Sequence, residues 1–186
     1  MKPFTTLISI FFITFLCSPS FSQTLTMKDL VLTDGLFYKK FTSSPFTGEI
    51  SGNKSGEFVS GKKEGVWLFY HKNGQVSWKG SYKNGKEEGP WTLKSKNGQL
   101  EKKVNYKDGQ KTSQEDYLNG QLSEIERWKD GKKEGLSESY YDTGQLQLSV
   151  NYKDGEMDGV WKYYNQDGSL KLSKTFENGY CVSDSC

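Results

Sequence analysis

Residues able to do acid–base or metal chemistry are sparse in this chain of 186 residues. His71 is the only histidine, and no cysteine lies near it in the sequence. A Cys/His metal site is therefore not expected, and a Ser-His-Asp device would depend on His71 without any nucleophile motif beside it. Aspartates that precede glycines, such as Asp108 and Asp154, serve turns and lack the dense oxygen ligands of a calcium loop. We therefore expect no catalytic residues, no metal, no cofactor and no enzyme.

Carboxylates form one group that could bind a cationic partner. The group comprises Glu115, Asp116, Glu124 and Glu126, and no basic residue occurs from 113 to 126. If Trp128 faces the core, strand alternation places Glu124 and Glu126 on the same face. Burying two carboxylates together is costly. Two interpretations stay open: a bulged strand with a solvated acidic patch, or an open face that docks a basic partner.

Tryptophan is the other residue type that could bind a ligand. Four tryptophans are candidate binding residues: Trp67, Trp78, Trp91 and Trp161. Aromatic residues make up 15% of the chain, which is typical of β-structure. The rings either pack on each other across strands as core, or some are offered to a ligand or partner.

A tandem repeat must position these residues. Two ladders of turn glycines have spacings of 24, 22, 24 and 24: Gly74, Gly98, Gly120, Gly144 and Gly168, and then Gly85, Gly109, Gly131, Gly155 and Gly179. A fixed period of this length indicates a repeat array. The copies are residues 65–88, 89–112, 113–134, 135–158 and 159–182. The third copy is two residues shorter, and we place the loss in its linker.

Each copy is predicted to be a β-hairpin. In the first copy, strands at 66–71 and 76–82 flank Asn73-Gly74, which we predict to be the tight turn with positive φ at both central residues. Asn84-Gly85 then begins a looser link to the next copy. The return strand alternates apolar and polar residues, so that one face is apolar and the other wet. The predicted fold is all-β: an elongated antiparallel meander of about 24-residue hairpins in a single curled sheet.

The two ends of the chain are predicted to be different. Residues 1–22 resemble an export signal, with Lys2 first, an apolar run at 4–17 and cleavage before Gln23. An uncleaved anchor and a lipoprotein modified at Cys17 are the alternatives. Residues 23–64 would form a cap and a degenerate first repeat. Residues 183–186 would form a C-terminal tail. Cys186 in this tail and Cys181 just before it either pair in an oxidising compartment or stay free thiols.

The repeat GxWxxYxxNGQLxxxxxYKDGKxxG resembles the MORN-repeat variant of bacteria. More closely, the chain is similar to the YwqK-type family of antitoxin repeat proteins over residues 29–182. The resemblance rests on Gly65-Val66-Trp67, Asn73-Gly74-Gln75-Val76, Tyr82-Lys83-Asn84-Gly85 and their later copies. It implies an extended antiparallel sheet that binds a protein, such as a toxin that it neutralises. With an export signal, that toxin would act outside the inner membrane.

The sequence therefore predicts an exported, non-enzymatic scaffold that binds a protein partner through its sheet. Its place would be the periplasm, the outer envelope or the extracellular space. The alternative is a module that binds membrane lipid or glycan through exposed aromatic rings and lysine-rich turns such as Lys62-Lys63 and Lys132-Lys133. The net charge of +2 gives no reason to expect nucleic acid as a partner.

Overall fold

The protein is described by a computed structural model that covers residues 24–183. A single 3-10 turn, Met27–Asp29, precedes the strands, and Thr26 caps it by accepting a hydrogen bond from the backbone N–H of Lys28. The strands are β1 Leu30–Thr33, β2 Leu36–Lys39, β3 Gly48–Ile50, β4 Lys54–Val59, β5 Lys62–Tyr70, β6 Val76–Lys83, β7 Lys86–Lys94, β8 Leu100–Lys107, β9 Gln110–Leu118, β10 Gln121–Lys129, β11 Lys132–Lys133, β12 Gly135–Tyr140, β13 Leu146–Lys153, β14 Glu156–Met157, β15 Gly159–Tyr164, β16 Leu170–Glu177 and β17 Tyr180–Cys181.

The strands form a small hairpin and one long antiparallel sheet. β1 pairs with β2, and the other 15 strands form a single sheet in chain order from β3 to β17. The short strands β11 and β14 extend the pairing of β10 and β13. The predicted all-β antiparallel meander of hairpin repeats is confirmed. Within residues 24–183, no helix has the length and apolar character needed to cross a membrane.

Both glycine ladders form turns, but the two turn types are the reverse of the prediction. Asn84 and Gly85 have φ of 51° and 84°, and they join Lys83 directly to its pairing partner Lys86. This is the two-residue turn with positive φ at both central positions. Asn119-Gly120 and Asp154-Gly155 follow the same pattern.

Asn73-Gly74 belongs to a longer loop. His71 and Gln75 are joined by a hydrogen bond of 2.8 Å from the His71 N–H to the Gln75 carbonyl, and only Gly74 among the loop residues has positive φ. This is the three-residue hairpin, in which a left-handed glycine follows an ordinary turn. The prediction was wrong because Asn-Gly suits both loops, and the sequence alone does not show where pairing resumes.

The shorter third copy has lost residues at two places rather than one. Its hairpin loop is the two-residue Asn119-Gly120, where the other copies use three residues. At the Asn105/Tyr106 register shift in its linker, β9 has one residue more than β8. At the equivalent Lys79/Ser81 shift, three residues of β7 lie opposite one residue of β6, an excess of two. The prediction that both residues are missing from the linker is therefore corrected: one is lost there and one from the loop.

The core lies on one face of this single sheet. Phe58 and Trp67 are fully buried, and their rings meet edge to face with centroids 5.0 Å apart. Two glycines make room for the tryptophans: a Cβ on Gly56 or on Gly80 would lie within 3.0 Å of the indole of Trp67 or Trp91, respectively. Glycine in these strand interiors is therefore explained by the close approach of a ring.

Successive copies are also joined along the edge of the two-residue turns. The backbone N–H of Gly85 donates to the carbonyl of Lys63 at 2.9 Å, and Gly109 donates in the same way to Glu87. A glutamate carboxylate from the preceding linker also accepts a hydrogen bond from the turn: the N–H of Asn84 donates to the carboxylate of Glu64 at 2.8 Å. These bonds satisfy turn amides that would otherwise need water and fix the stacking of one copy on the next.

Candidate binding surface

The core face, which we call the aromatic face, carries most of the sequence-predicted binding residues. Alternation along the paired strands places Trp67, Trp78, Trp91 and Trp161 there together. They differ in exposure. Trp67 is 0% and Trp91 is 6% exposed, whereas Trp78 and Trp161 are half-buried. The ladder is therefore both core and surface, and Trp67 serves only the core.

Hydrogen bonding divides the indoles in the same way. The Nε1 of Trp67 donates to the carbonyls of Glu57 and Glu64 at 3.2 Å, and the Nε1 of Trp91 donates to the Ser81 carbonyl at 3.2 Å. The Nε1 of Trp161 is buried without a partner among residues 24–183. Val150 stands where Gly80 stands three copies earlier, so that the register next to Trp161 carries a side chain in place of the glycine that makes room for Trp91.

The third copy interrupts the aromatic ladder with charge. Glu126 is 9% exposed and pairs with Lys133, while Asp116 pairs with Lys102 at 2.6 Å. Glu124 and Glu126 do share a face with Trp128, as alternation predicted. Lys102 of the preceding copy and Lys133 at the end of the third copy compensate the carboxylates, and both lie outside the acidic window at 113–126.

Two acidic residues of the predicted group stand apart. Glu115 lies on the opposite face, where it accepts from Lys103 at 3.2 Å and from the hydroxyl of Tyr117. The Tyr117 hydroxyl and Lys103 hold the pKa of Glu115 below its usual value. Glu124 is exposed and forms no ion pair within the described chain. Partial desolvation of its carboxyl group and repulsion from Glu126 raise the pKa of Glu124.

A second pattern on the aromatic face escaped the sequence analysis. Five two-residue turns, at 60–61, 84–85, 108–109, 130–131 and 154–155, lead from one copy into the next. We call the first core-facing residue after each of these five turns the covering position, which is occupied in chain order by Lys63, Glu87, Lys111, Lys133 and Met157. Its lysines lie over an aromatic ring of the next return strand: Lys63 lies 4.4 Å from the centroid of Tyr82, Lys111 lies 3.6 Å from that of Trp128, and Lys133 lies 5.1 Å from that of Tyr152. These are cation–π contacts inside the protein.

The remaining predicted residues have structural roles or lie outside the description. The Nε2 of His71 lies 2.8 Å from the carbonyl of Lys94, so the histidine links two hairpin loops. Among residues 24–183, no group of three or more His, Cys, Asp or Glu side chains is arranged to hold a metal ion. The export signal at 1–22 and the residue Cys186 lie outside the described residues, so the signal and the Cys181–Cys186 pairing stay predictions.

Comparison with known proteins identifies the repeat. Residues 63–84, 87–108, 133–154 and 157–178 match the family described as MORN repeat variant. The gap between the second and third matches contains most of the third copy, which carries the charged interruption. No curated protein matches. The finer resemblance to the YwqK-type family is not among the matches.

Solved structures give only distant similarity. A crystal structure of a GtfA/B complex bound to UDP and GlcNAc is 13% identical, with a TM-score of 0.27, over 73% of this chain and 25% of that one. One of accessory secretory proteins 1, 2 and 3 in Streptococcus pneumoniae is 18% identical, with a TM-score of 0.24, over 67% and 21%. This chain thus spans a quarter or less of the length of either. The family match is the informative comparison: four segments of this repeat protein match the MORN repeat variant.

Proposed function

We propose that this chain is an exported, non-enzymatic scaffold that binds a protein partner through the aromatic face, in the manner of an antitoxin or immunity protein. The observation that supports binding is the single layer of the sheet. At its N-terminal end the aromatic face is covered by Phe37 and Phe46, which pack on Phe58. From β6 onward no second sheet lies over it within residues 24–183, and Trp78, Tyr106, Trp128 and Tyr152 stay half-buried. Half-exposed aromatic rings in a continuous patch are typical of protein interfaces.

The charged residues of the third copy would fix the orientation and the position in which a partner binds along this face. Apolar rings lie on either side of the third copy, and a carboxylate without an ion-pair partner, Glu124, lies between them. A partner that places a basic side chain between two apolar contacts would match this order. Such a polar contact inside an aromatic interface adds specificity because a wrong register leaves the charge unpaired.

The experiment compares two neighbouring residues on one strand. Trp78 points to the aromatic face and Lys79 to the opposite face. The purified protein, the Trp78→Lys variant and the Lys79→Glu variant are immobilised and exposed to cell-envelope extract. Lysine is compatible with the register of Trp78, because Lys102 occupies it in the next copy. A protein retained by the parent and by Lys79→Glu, but lost with Trp78→Lys, supports the proposal.

Equal retention by all three would show that the aromatic face is not the interface. Repeated absence of any retained protein would count against protein binding itself. Whether the retained protein is a toxin is then tested directly: its activity should fall on adding the parent chain and recover with Trp78→Lys.

A second candidate function rests on a row of lysines along the turn edge. Seven exposed lysines flank successive two-residue turns, on the face opposite the aromatic one: Lys62, Lys83, Lys86, Lys107, Lys129, Lys132 and Lys153. From β5 to β13 the strand positions that flank these turns carry no acidic residue, while the turns between them carry Asp108, Asp130 and Asp154. Such a row favours an anionic surface, of lipid or of glycan.

Co-sedimentation with phosphatidylglycerol vesicles tests this second function. Binding should weaken as salt rises and should fall when Lys83, Lys107 and Lys129 are changed together to glutamine. Vesicles of an uncharged glycolipid provide the comparison for this edge, because they carry neither an anionic nor a quaternary ammonium headgroup. If binding changes neither with salt nor with the triple substitution, the lysine row is not its cause.

A further inference from the structure

One covering position on the aromatic face breaks the lysine pattern and leaves a cavity. In the other copies, a lysine or Met157 occupies this position, but the second copy has Glu87. The ring that the residue at position 87 would cover is Tyr106, which stands 19 residues further on, as Tyr82 does from Lys63 and Tyr152 from Lys133. Tyr106 is the aromatic ring in this series that faces a carboxylate in place of a cation.

Four aromatic rings surround the place left by the missing lysine. A cavity of about 230 Å³ is lined by Phe69, Trp78, Trp91, Tyr106 and Glu87. The centroid of Trp91 lies 6.0 Å from that of Phe69, 6.5 Å from that of Trp78 and 6.3 Å from that of Tyr106. Trp91 forms the floor, because it is held against Gly80 and its Nε1 is bonded to Ser81. Trp78 and Tyr106 are half-buried and line the opening.

The carboxylate of Glu87 supplies a negative charge beside the rings. It forms no ion pair among residues 24–183. Its charge, added to burial, raises the pKa of both Tyr82 and Tyr106, which places it beside these two rings. Rings with a carboxylate at their edge are the arrangement by which proteins hold alkylated ammonium groups, since the ring faces attract the cation and also contact its methyl groups.

We propose that the cavity between Phe69, Trp78, Trp91, Tyr106 and Glu87 is a binding site for a quaternary ammonium group. The cation takes the place that a lysine of the chain fills in other copies. The cavity is smaller than the roughly 300–1,000 Å³ of sites for drug-sized ligands, which suits one small headgroup. The ligand is an organic cation rather than a protein, so the inference goes beyond the proposed partner binding and does not depend on it.

Choline is the probe, and its uncharged carbon isostere dimethylbutanol is the matched ligand. Binding to the purified protein is followed by tryptophan fluorescence and by calorimetry. Choline should bind at least about tenfold more tightly than the isostere, because only the cation gains from the rings and the carboxylate. Equal binding of the two ligands, or no binding of choline, would overturn the proposal.

Three variants locate the site. Glu87→Lys restores the residue of the other copies and should weaken choline binding at least about tenfold, since the new ammonium fills the cage. Glu101→Lys makes the same charge change at an exposed position on β8 that does not line the cavity, and it should leave binding unchanged. Trp78→Leu, which reproduces Leu148 and Leu172 of later copies, should weaken binding by about 2- to 10-fold. Choline binding that survives Glu87→Lys would refute the site.

Vesicles of phosphatidylcholine distinguish the two sources of this cation. Co-sedimentation that Glu87→Lys abolishes would assign the site to a lipid headgroup. Choline binding without vesicle binding would assign it to a free small molecule. Both results require the same cage, and both are independent of whether the immobilised protein retains a partner from extract.

Discussion

Gly80 provides the sharpest test of how the aromatic face is built. Its Cα lies under the indole of Trp91, and an added methyl group would fall within 3.0 Å of the Cδ2, Cε2 and Cγ atoms of that ring. We expect Gly80→Ala to lift the ring away from the sheet. The lifted indole would also lose its hydrogen bond from Nε1 to the Ser81 carbonyl, which is 3.2 Å long.

The magnitude follows from three contributions. Overpacking a close-packed site costs about 1–3 kcal/mol. Leaving a buried indole donor unsatisfied costs roughly 1–3 kcal/mol more. Replacing glycine by alanine restricts the unfolded chain and returns ~0.4–1 kcal/mol. The net expectation is a loss of about 2–4 kcal/mol in the free energy of unfolding.

Urea denaturation followed by circular dichroism measures this loss. The control is Ser81→Ala, whose side chain lies on the opposite face and whose carbonyl is unchanged, with an expected effect within ~0.5 kcal/mol. A second control removes the ring: in a Trp91→Leu background, Gly80→Ala should be neutral or slightly stabilising. The reasoning is refuted if Gly80→Ala costs nothing in the parent, or costs the same in both backgrounds.

Three further changes test the charged interruption and the export signal. Lys133→Met, which introduces the residue found at Met157, should destabilise the protein by about 1–3 kcal/mol because it leaves the carboxylate of Glu126 buried and unpaired. Adding Glu126→Leu should restore most of this loss. Urea denaturation of the single and double variants checks both expectations. Glu124→Gln should stabilise the protein near pH 7 and have little effect near pH 4. The pKa of Glu124 is raised in the folded state, so stability is full while the carboxyl is protonated and is lost as pH rises through the folded-state pKa. Thermal unfolding across this range measures the effect, and an equal effect at both pH values would show that the charge of Glu124 is not its cause. Mass spectrometry of the secreted protein should find Gln23 at its N-terminus, and an intact first segment would indicate an uncleaved anchor instead.

Much of the fold could be predicted because the repeat is marked by turn glycines and by alternating strand residues, whose conformational roles are narrow. Glycines at a fixed period located the turns of the five copies, and alternation along the return strand placed Trp78 and Tyr82 on one face. The turn types could not be separated, since Asn73-Gly74 and Asn84-Gly85 have the same composition and only the resumption of pairing distinguishes them. The two lost residues of the third copy were divided between loop and linker for the same reason.

The candidate site was predictable only in part, because it depends on contacts between residues of different strands and copies. The tryptophans and carboxylates were found by residue type and by alternation. The lysines that pair with Asp116 and Glu126 lie on other strands, Lys102 on β8 and Lys133 on β11, and the strand pairing brings them near. Glu87 reads as an ordinary linker residue until the pairing shows that lysines occupy its equivalents over aromatic rings.

The central claim is that this repeat sheet works by binding at its aromatic face. Photo-crosslinking from positions 78 and 79 tests it most directly, because neighbouring side chains on β6 point to opposite faces. A benzophenone amino acid is placed at each position in turn, in cells that produce the protein. The account predicts one specific crosslinked partner from position 78 and none from position 79. A partner captured from 79 and not from 78 would contradict it.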